Sequence, residues 1–156
     1  MKNRISDNWK FTVLVLVFAA FSAGGAVEQK AGVTITLTGN DMMKYNKSSF
    51  TVRAGQKVKL VLKNVGKLPK IAMGHNVVIL KSNVDPAKFA AEALKFPKQD
   101  YIPKTRKRNI VAHTKMIGGG ETTSIVFTAP KKRGKYPYLC TFPGHFVLMK
   151  GVMVVK

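Results

Sequence analysis

The chain has 156 residues, 46% of them hydrophobic, enough for one domain with its own core and too many for a wholly disordered chain. Lys plus Arg number 27 against seven Asp plus Glu, leaving a net charge of +20, so the surface favours anionic partners: acidic proteins, anionic lipid, cell-envelope polymers or nucleic acid. A lone cysteine, Cys140, excludes an internal disulfide scaffold.

The first segment, residues 1–26, reads as a secretory leader. MKNRISDNWK is basic, Phe11 to Phe21 is apolar apart from Thr12, and Ser22 to Ala26 supplies small residues. The apolar run is well short of the ~20 residues a membrane-spanning helix needs. No cysteine stands in the small-residue segment that follows it, so a lipoprotein anchor is not expected. The expectation is export to the periplasm, with cleavage near Ala26 and a single domain over 27–156. Only Lys2, Arg4, Lys10 and Asp7 fall within the leader, so the basic excess stays with the exported part.

Beyond the leader, strands dominate. Val33, Ile35 and Leu37 alternate with Thr34, Thr36 and Thr38, the period of a half-buried strand, and Gly39-Asn40-Asp41 ends it. Phe50 to Arg53 and Lys57 to Lys63 make two more strands, and His75 to Lys81 a mostly apolar, central one. Asp85 as N-cap, Pro86 at the first helical position and an apolar face of Phe89, Ala90, Ala93 and Leu94 predict a short helix ending before Pro97. A basic loop leads to a strand over Ile110 to His113. Further strands lie over TTSIVFTAP, into Cys140, and over MKGVMVVK. Short strands separated by turns predict an all-β, antiparallel sandwich or barrel with one helical insert.

The stretch CTFPGHFVLMKG, Cys140 to Gly151, carries the chemistry. Thiolate, imidazole and thioether form a soft ligand set suited to copper, and Pro143-Gly144 supplies a turn that can fold Cys140, His145 and Met149 around one point. Taken singly, a cysteine or methionine is usually core filler. Three such residues at Cys-x4-His-x3-Met spacing are a more specific signal. A trigonal site needs a second histidine. His75 follows Gly74, where a backbone carbonyl can approach a metal closely. His113 lies in an alternating run with no ligand type beside it and reads as a surface residue.

CTFPGH, LMKG, LPKIAMGHN, AHTKMIGGGE and TGNDMM resemble segments of the azurins, small blue copper proteins of the cupredoxin family, and they stand in the azurin order along the chain. The resemblance runs from about Val33 to Lys156. It implies an eight-stranded Greek-key β-sandwich with one type 1 copper near one end. His75, Cys140 and His145 would be equatorial ligands, Met149 the weak axial one, and the Gly74 carbonyl would lie opposite. Asn76 would tie the His75 segment to the Cys140 loop, and the Phe142 amide would reach the thiolate. His145 would reach the surface through an apolar patch of Met43, Leu68, Met73, Phe142, Pro143, Phe146, Val147 and Leu148. This chain departs from that pattern in three ways. The azurin disulfide is absent, Val77 stands where an aromatic residue is buried, and Asn64 stands where many azurins have a histidine.

The implied function is single-electron carriage between redox partners, without enzymatic turnover. The alternative is copper storage or delivery in the cell envelope. Oxidases and reductases of this superfamily need further copper centres, and ligands for only one are present. The densest basic clusters, Lys104 to Arg108 and Lys131 to Lys135, predict acidic redox partners or loose peripheral adhesion to an anionic membrane or cell wall. An exported chain with no nucleic-acid motif is not expected to bind RNA or DNA. The expected state is a monomer or weak oligomer.

Overall fold

The computed structural model describes residues 32–156; the expected leader, residues 1–26, lies outside them. Nine strands form two facing sheets: β1 (Val33–Asn40), β2 (Lys44–Tyr45), β3 (Ser49–Val52), β4 (Lys57–Asn64), β5 (Val78–Leu80), β6 (Ile110–His113), β7 (Thr122–Thr128), β8 (Gly134–Leu139) and β9 (Lys150–Val155). One sheet has the order β2-β1-β4-β7, the other β3-β9-β8-β5-β6. The eight strands other than the two-residue β2 make the expected sandwich, which does not close into a barrel.

The sheets are mixed, where the sequence pattern suggested antiparallel pairing throughout. β1 runs parallel to β4 and β3 parallel to β9, because the chain crosses to the other sheet after β2 and back again after β3. Period-two alternation does not distinguish the two pairings; only connectivity does.

Alternation builds the core as expected. Along β4, Val58, Leu60 and Leu62 point inward while Lys59 and Lys63 face water. They meet Leu37, Phe50, Val52, Val77, Ile79, Tyr136, Tyr138 and Met153 from the other strands. Burying each such side chain contributes roughly 1.5–3 kcal/mol. Val77 is fully buried within this core.

Helix α2 (Pro86–Ala93) forms where expected, with the Asp85 carboxylate accepting from the Ala87 and Lys88 amides. α1 is a single turn, Lys70–Met73, which the sequence did not signal. Phe89 and Ala90 of α2 pack with Ile102 over Val78, Leu80 and Leu139, so the second sheet is covered on both faces. Leu94, expected on the buried face, is the C-terminal capping residue and is half exposed. The basic loop contains a 3-10 turn at Lys104–Asn109. Among the described residues no helix is long and apolar enough to cross a membrane.

The strand expected over His75 to Lys81 is shorter, only Val78–Leu80. His75 instead exchanges both backbone hydrogen bonds with Ile117, and Val77 bonds to Thr114. Asn76 leaves the ladder because its polar groups are engaged elsewhere. That break places His75 at the end of the sandwich.

Candidate metal centre

Cys140 directly follows β8, and its amide donates to the Met149 carbonyl at 3.0 Å, closing the loop at its base. Within the loop Gly144 takes a left-handed conformation (φ 80°), which Pro143-Gly144 favours, and His145–Val147 form a 3-10 turn. The Met149 amide donates to His145 O at 2.7 Å. This folding turns Cys140, His145 and Met149 inward, at 0%, 2% and 0% exposure. His145 is thus buried beneath the loop.

His75 arrives from the α1 segment and is also fully buried. One donor atom each from His75, Cys140 and His145 lies within 4.8 Å of the others. His145 Nδ1 is 3.7 Å from Cys140 Sγ, and the two imidazole centroids are 5.1 Å apart. His75 Nε2 lies 3.0 Å from the Asn40 carbonyl. An oxygen there requires a proton on Nε2, which leaves Nδ1 as a bare lone pair. His75 Nδ1 is buried and has no hydrogen-bond partner. An orphaned imidazole nitrogen facing a thiol and a second imidazole is what a soft metal ion would satisfy.

The protonation states suit that role. Burial, then repulsion from His75, lowers His145 to about 4. Burial likewise lowers His75, partly offset by the Asn40 and Gly74 carbonyls and by Asp41. Both imidazoles are therefore neutral near pH 7. Burial pushes the Cys140 thiol up to about 11, while the Asn76 and Phe142 amides pull it back down. Without metal the thiol keeps its proton, so a metal ion must displace it.

Two glycines make the close approach sterically feasible. A Cβ on Gly39 would stand 2.6 Å from the Met149 methyl and 2.9 Å from His75 Cδ2, so Met149 and His75 share one contact on β1. A Cβ on Gly74 would stand 2.6 Å from Lys70 O; the Gly74 carbonyl accepts from Cys140 Sγ at 3.8 Å. Asn76 joins the two segments: its Nδ2 donates to Thr141 Oγ1 at 2.8 Å and the Thr141 amide donates to its Oδ1 at 2.9 Å. Its backbone carbonyl accepts from the Tyr45 hydroxyl, and its Nδ2 also reaches Asp100 O at 3.3 Å. The Phe142 ring stacks 4.6 Å from His145 and meets Tyr101 at 5.7 Å.

Sequence reasoning missed Gly39, Asn40, Tyr45, Asp100 and Thr141. The first two stood in a stretch read only as a turn, and the others carried no local signal. His113 is exposed and stays apart from the site. Asn64 is buried, its Nδ2 donating to Met73 O at 3.5 Å.

The expected patch is exposed in part. Leu68, Pro143, Val147 and Leu148 are exposed, while Met43, Met73 and Phe142 are half-buried. Phe146 is half-buried too and packs on the cluster under α2, so it does not stand free for a partner. Met42 and Ile71 (89% exposed) stand out as apolar residues that sequence reasoning passed over.

A family model described as "Copper binding proteins, plastocyanin/azurin family" matches residues 31–156. The azurin of Alcaligenes faecalis is 40% identical over 122 residues, covering 76% of this chain and 94% of that protein. Among solved structures, dithionite-reduced auracyanin from Roseiflexus castenholzii is 40% identical with a TM-score of 0.72, covering 81% of this chain and 98% of that one. Auracyanin A from Chloroflexus aurantiacus, a "blue" copper protein, is 35% identical with a TM-score of 0.71, covering 80% and 98%.

Proposed function

Because the chain belongs to the plastocyanin/azurin family of copper binding proteins, we propose that it is an exported type 1 copper protein carrying single electrons between redox partners. Its cofactor is one copper ion, and His75, Cys140 and His145 are positioned to bind it. In this reading the Met149 thioether is a weaker fourth contact and the Gly74 carbonyl lies nearby. The bound copper supplies a one-electron Cu(II)/Cu(I) couple.

The observation that carries the reading is the convergence of the three donors on a buried, unpartnered His75 Nδ1. The protein's contribution is a fixed frame. Two ligand segments are cross-linked by Asn76 and Thr141, and the loop is closed by backbone bonds at both ends. Such a frame resists rearrangement, so one geometry serves both oxidation states. Burial keeps water from the sulfur, and the Asn76 and Phe142 amides stabilise its negative charge.

Leu68, Pro143, Val147 and Leu148, with Met42 and Ile71, are the residues through which a partner would pack over His145. Partners would be acidic, given the charge of +20. The reading assigns no substrate turnover. Storage or delivery is the second reading, disfavoured by donors that are almost wholly buried.

Voltammetry of the copper-loaded protein tests this. A reversible one-electron wave, with one copper retained per chain over repeated cycles, is expected. Surrender of Cu(I) to a chelator on each reduction would favour delivery instead.

A further inference from the structure

The basic surface is not evenly spread. The loop between β3 and β4, the loop between β7 and β8, and the C-terminus meet at the end of the sandwich opposite His75 and Cys140. The Ala54 amide donates to Lys156 O at 2.9 Å, the Ala129 amide to Gln56 O at 2.8 Å, and the Gly55 amide to Pro130 O at 3.4 Å. This end carries Arg53, Lys81, Lys131, Lys132, Arg133 and Lys156, all exposed, and none is in an ion pair among the described residues. A groove of about 360 Å³ runs between Lys81 and Lys132, and another of about 490 Å³ between Arg53 and Lys156. The nearest acid along the chain, Asp85, is engaged in capping α2.

The metal end carries cations too, Lys44, Lys67, Lys70 and Lys150, with Lys104, Lys107 and Lys115 lining a pocket beside Asp100, but there they stand among acids. Three of the chain's seven acids, Asp41, Asp100 and Glu121, lie there, accepting from Lys67 N, from Lys70 Nζ and Met116 N, and from Gly118 N respectively. Strands of six to eight residues at about 3.3 Å each separate the two ends by roughly 20–25 Å. The described chain also begins at the basic end, since Gly32 lies beside Gln56 and Lys57. The sequence before it holds the apolar run Phe11 to Phe21.

We propose that this basic end is a docking surface for an anionic lipid bilayer, holding the protein with its metal end turned away from the membrane. The inference rests on the exported, electron-carrying reading above. Charge complementarity favours an anionic surface, and a described chain that begins at this end, with an apolar run preceding it in sequence, favours lipid over a soluble polyanion. With the leader cleaved, charge alone would hold this end, and the apolar residues around His145 stay free for a soluble partner. The protein would exchange electrons along the membrane surface rather than with a centre buried in the bilayer.

The test is co-sedimentation of the protein, as purified from an exporting host, with vesicles of phosphatidylglycerol and phosphatidylcholine and with phosphatidylcholine alone. Binding to the anionic vesicles only, weakening as salt rises, is expected. Each cation near the surface is worth about fivefold in affinity, so Lys131→Glu/Lys132→Glu/Arg133→Glu should lose about a hundredfold or more. A charge-matched control at the metal end, Lys44→Glu/Lys67→Glu/Lys150→Glu, should lose far less. Gln in place of Glu at 131–133 gives a milder variant if folding suffers. Equal losses in the two variants, equal binding to neutral vesicles, or binding to soluble polyglutamate but not to vesicles would each overturn the proposal. Voltammetry on the same samples keeps the tests separate: a lost copper couple sinks the carrier reading and leaves the membrane result standing.

Discussion

Asn76 and Thr141, 65 residues apart, hold each other by two hydrogen bonds, side-chain amide to hydroxyl at 2.8 Å and backbone amide to side-chain carbonyl at 2.9 Å. Each is the chain neighbour of a proposed ligand, His75 and Cys140. The pair therefore fixes the distance between the two halves of the metal centre. Asn76→Ala would leave the Thr141 groups buried and unpartnered, at about 1–3 kcal/mol apiece. The expected result is a loss of about 2–6 kcal/mol in denaturant unfolding, together with a changed visible spectrum of the copper-loaded protein.

Tyr45 supports the same residue from below, its hydroxyl donating to the Asn76 carbonyl. Tyr45→Phe keeps the ring, with its 5.6 Å contact to Tyr138, and removes only that bond. Stability should fall by about 1 kcal/mol. Slow amide exchange at Thr141, followed by NMR in the metal-free protein, should speed up; unchanged protection there would show that the bond does not position Asn76.

Gly39→Ala probes the space shared by Met149 and His75. The added methyl falls 2.6 Å from the Met149 methyl, so one of the two side chains must move. Overpacking of this kind costs about 1–3 kcal/mol. Weaker copper binding, measured by competition with a chelator, is the expected companion. By contrast, Asp85→Ala, which removes the cap of α2, should cost about 1 kcal/mol and leave the spectrum as it was.

Acid should destabilise the metal-free protein in a defined window. His145 titrates near 4 in the folded chain and near 6.5 when unfolded, because burial disfavours its charged form. Between those values the unfolded state binds the extra proton. Stability is therefore complete above about pH 6.5 and declines as pH falls toward 4. Urea midpoints across pH 4–8 measure this, and His145→Gln should flatten the part that His145 contributes.

Most of the scaffold was legible because its signals are local. The alternation in Val33 to Leu37 and Val58 to Leu62, the Asp85-Pro86 helix start and the Pro143-Gly144 turn each act over a few residues. The ligand loop was legible for the same reason, since Cys140, His145 and Met149 lie within ten residues. What escaped depends on contacts between distant segments. Parallel pairing of β1 with β4, the Tyr45 and Asp100 bonds to Asn76, and the packing of Phe146 against the α2 cluster leave no periodic trace. His75 was reached through the family resemblance and the Gly74 beside it; no spacing rule ties it to Cys140.

The most direct test is the visible absorption spectrum of the purified protein loaded with Cu(II). A thiolate at Cys140 bound to Cu(II) predicts a strong red-region charge-transfer band and a blue colour, abolished by Cys140→Ser with the fold retained. A copper-loaded protein that stays colourless, or a Cys140→Ser variant that stays blue, would contradict the assignment of this site.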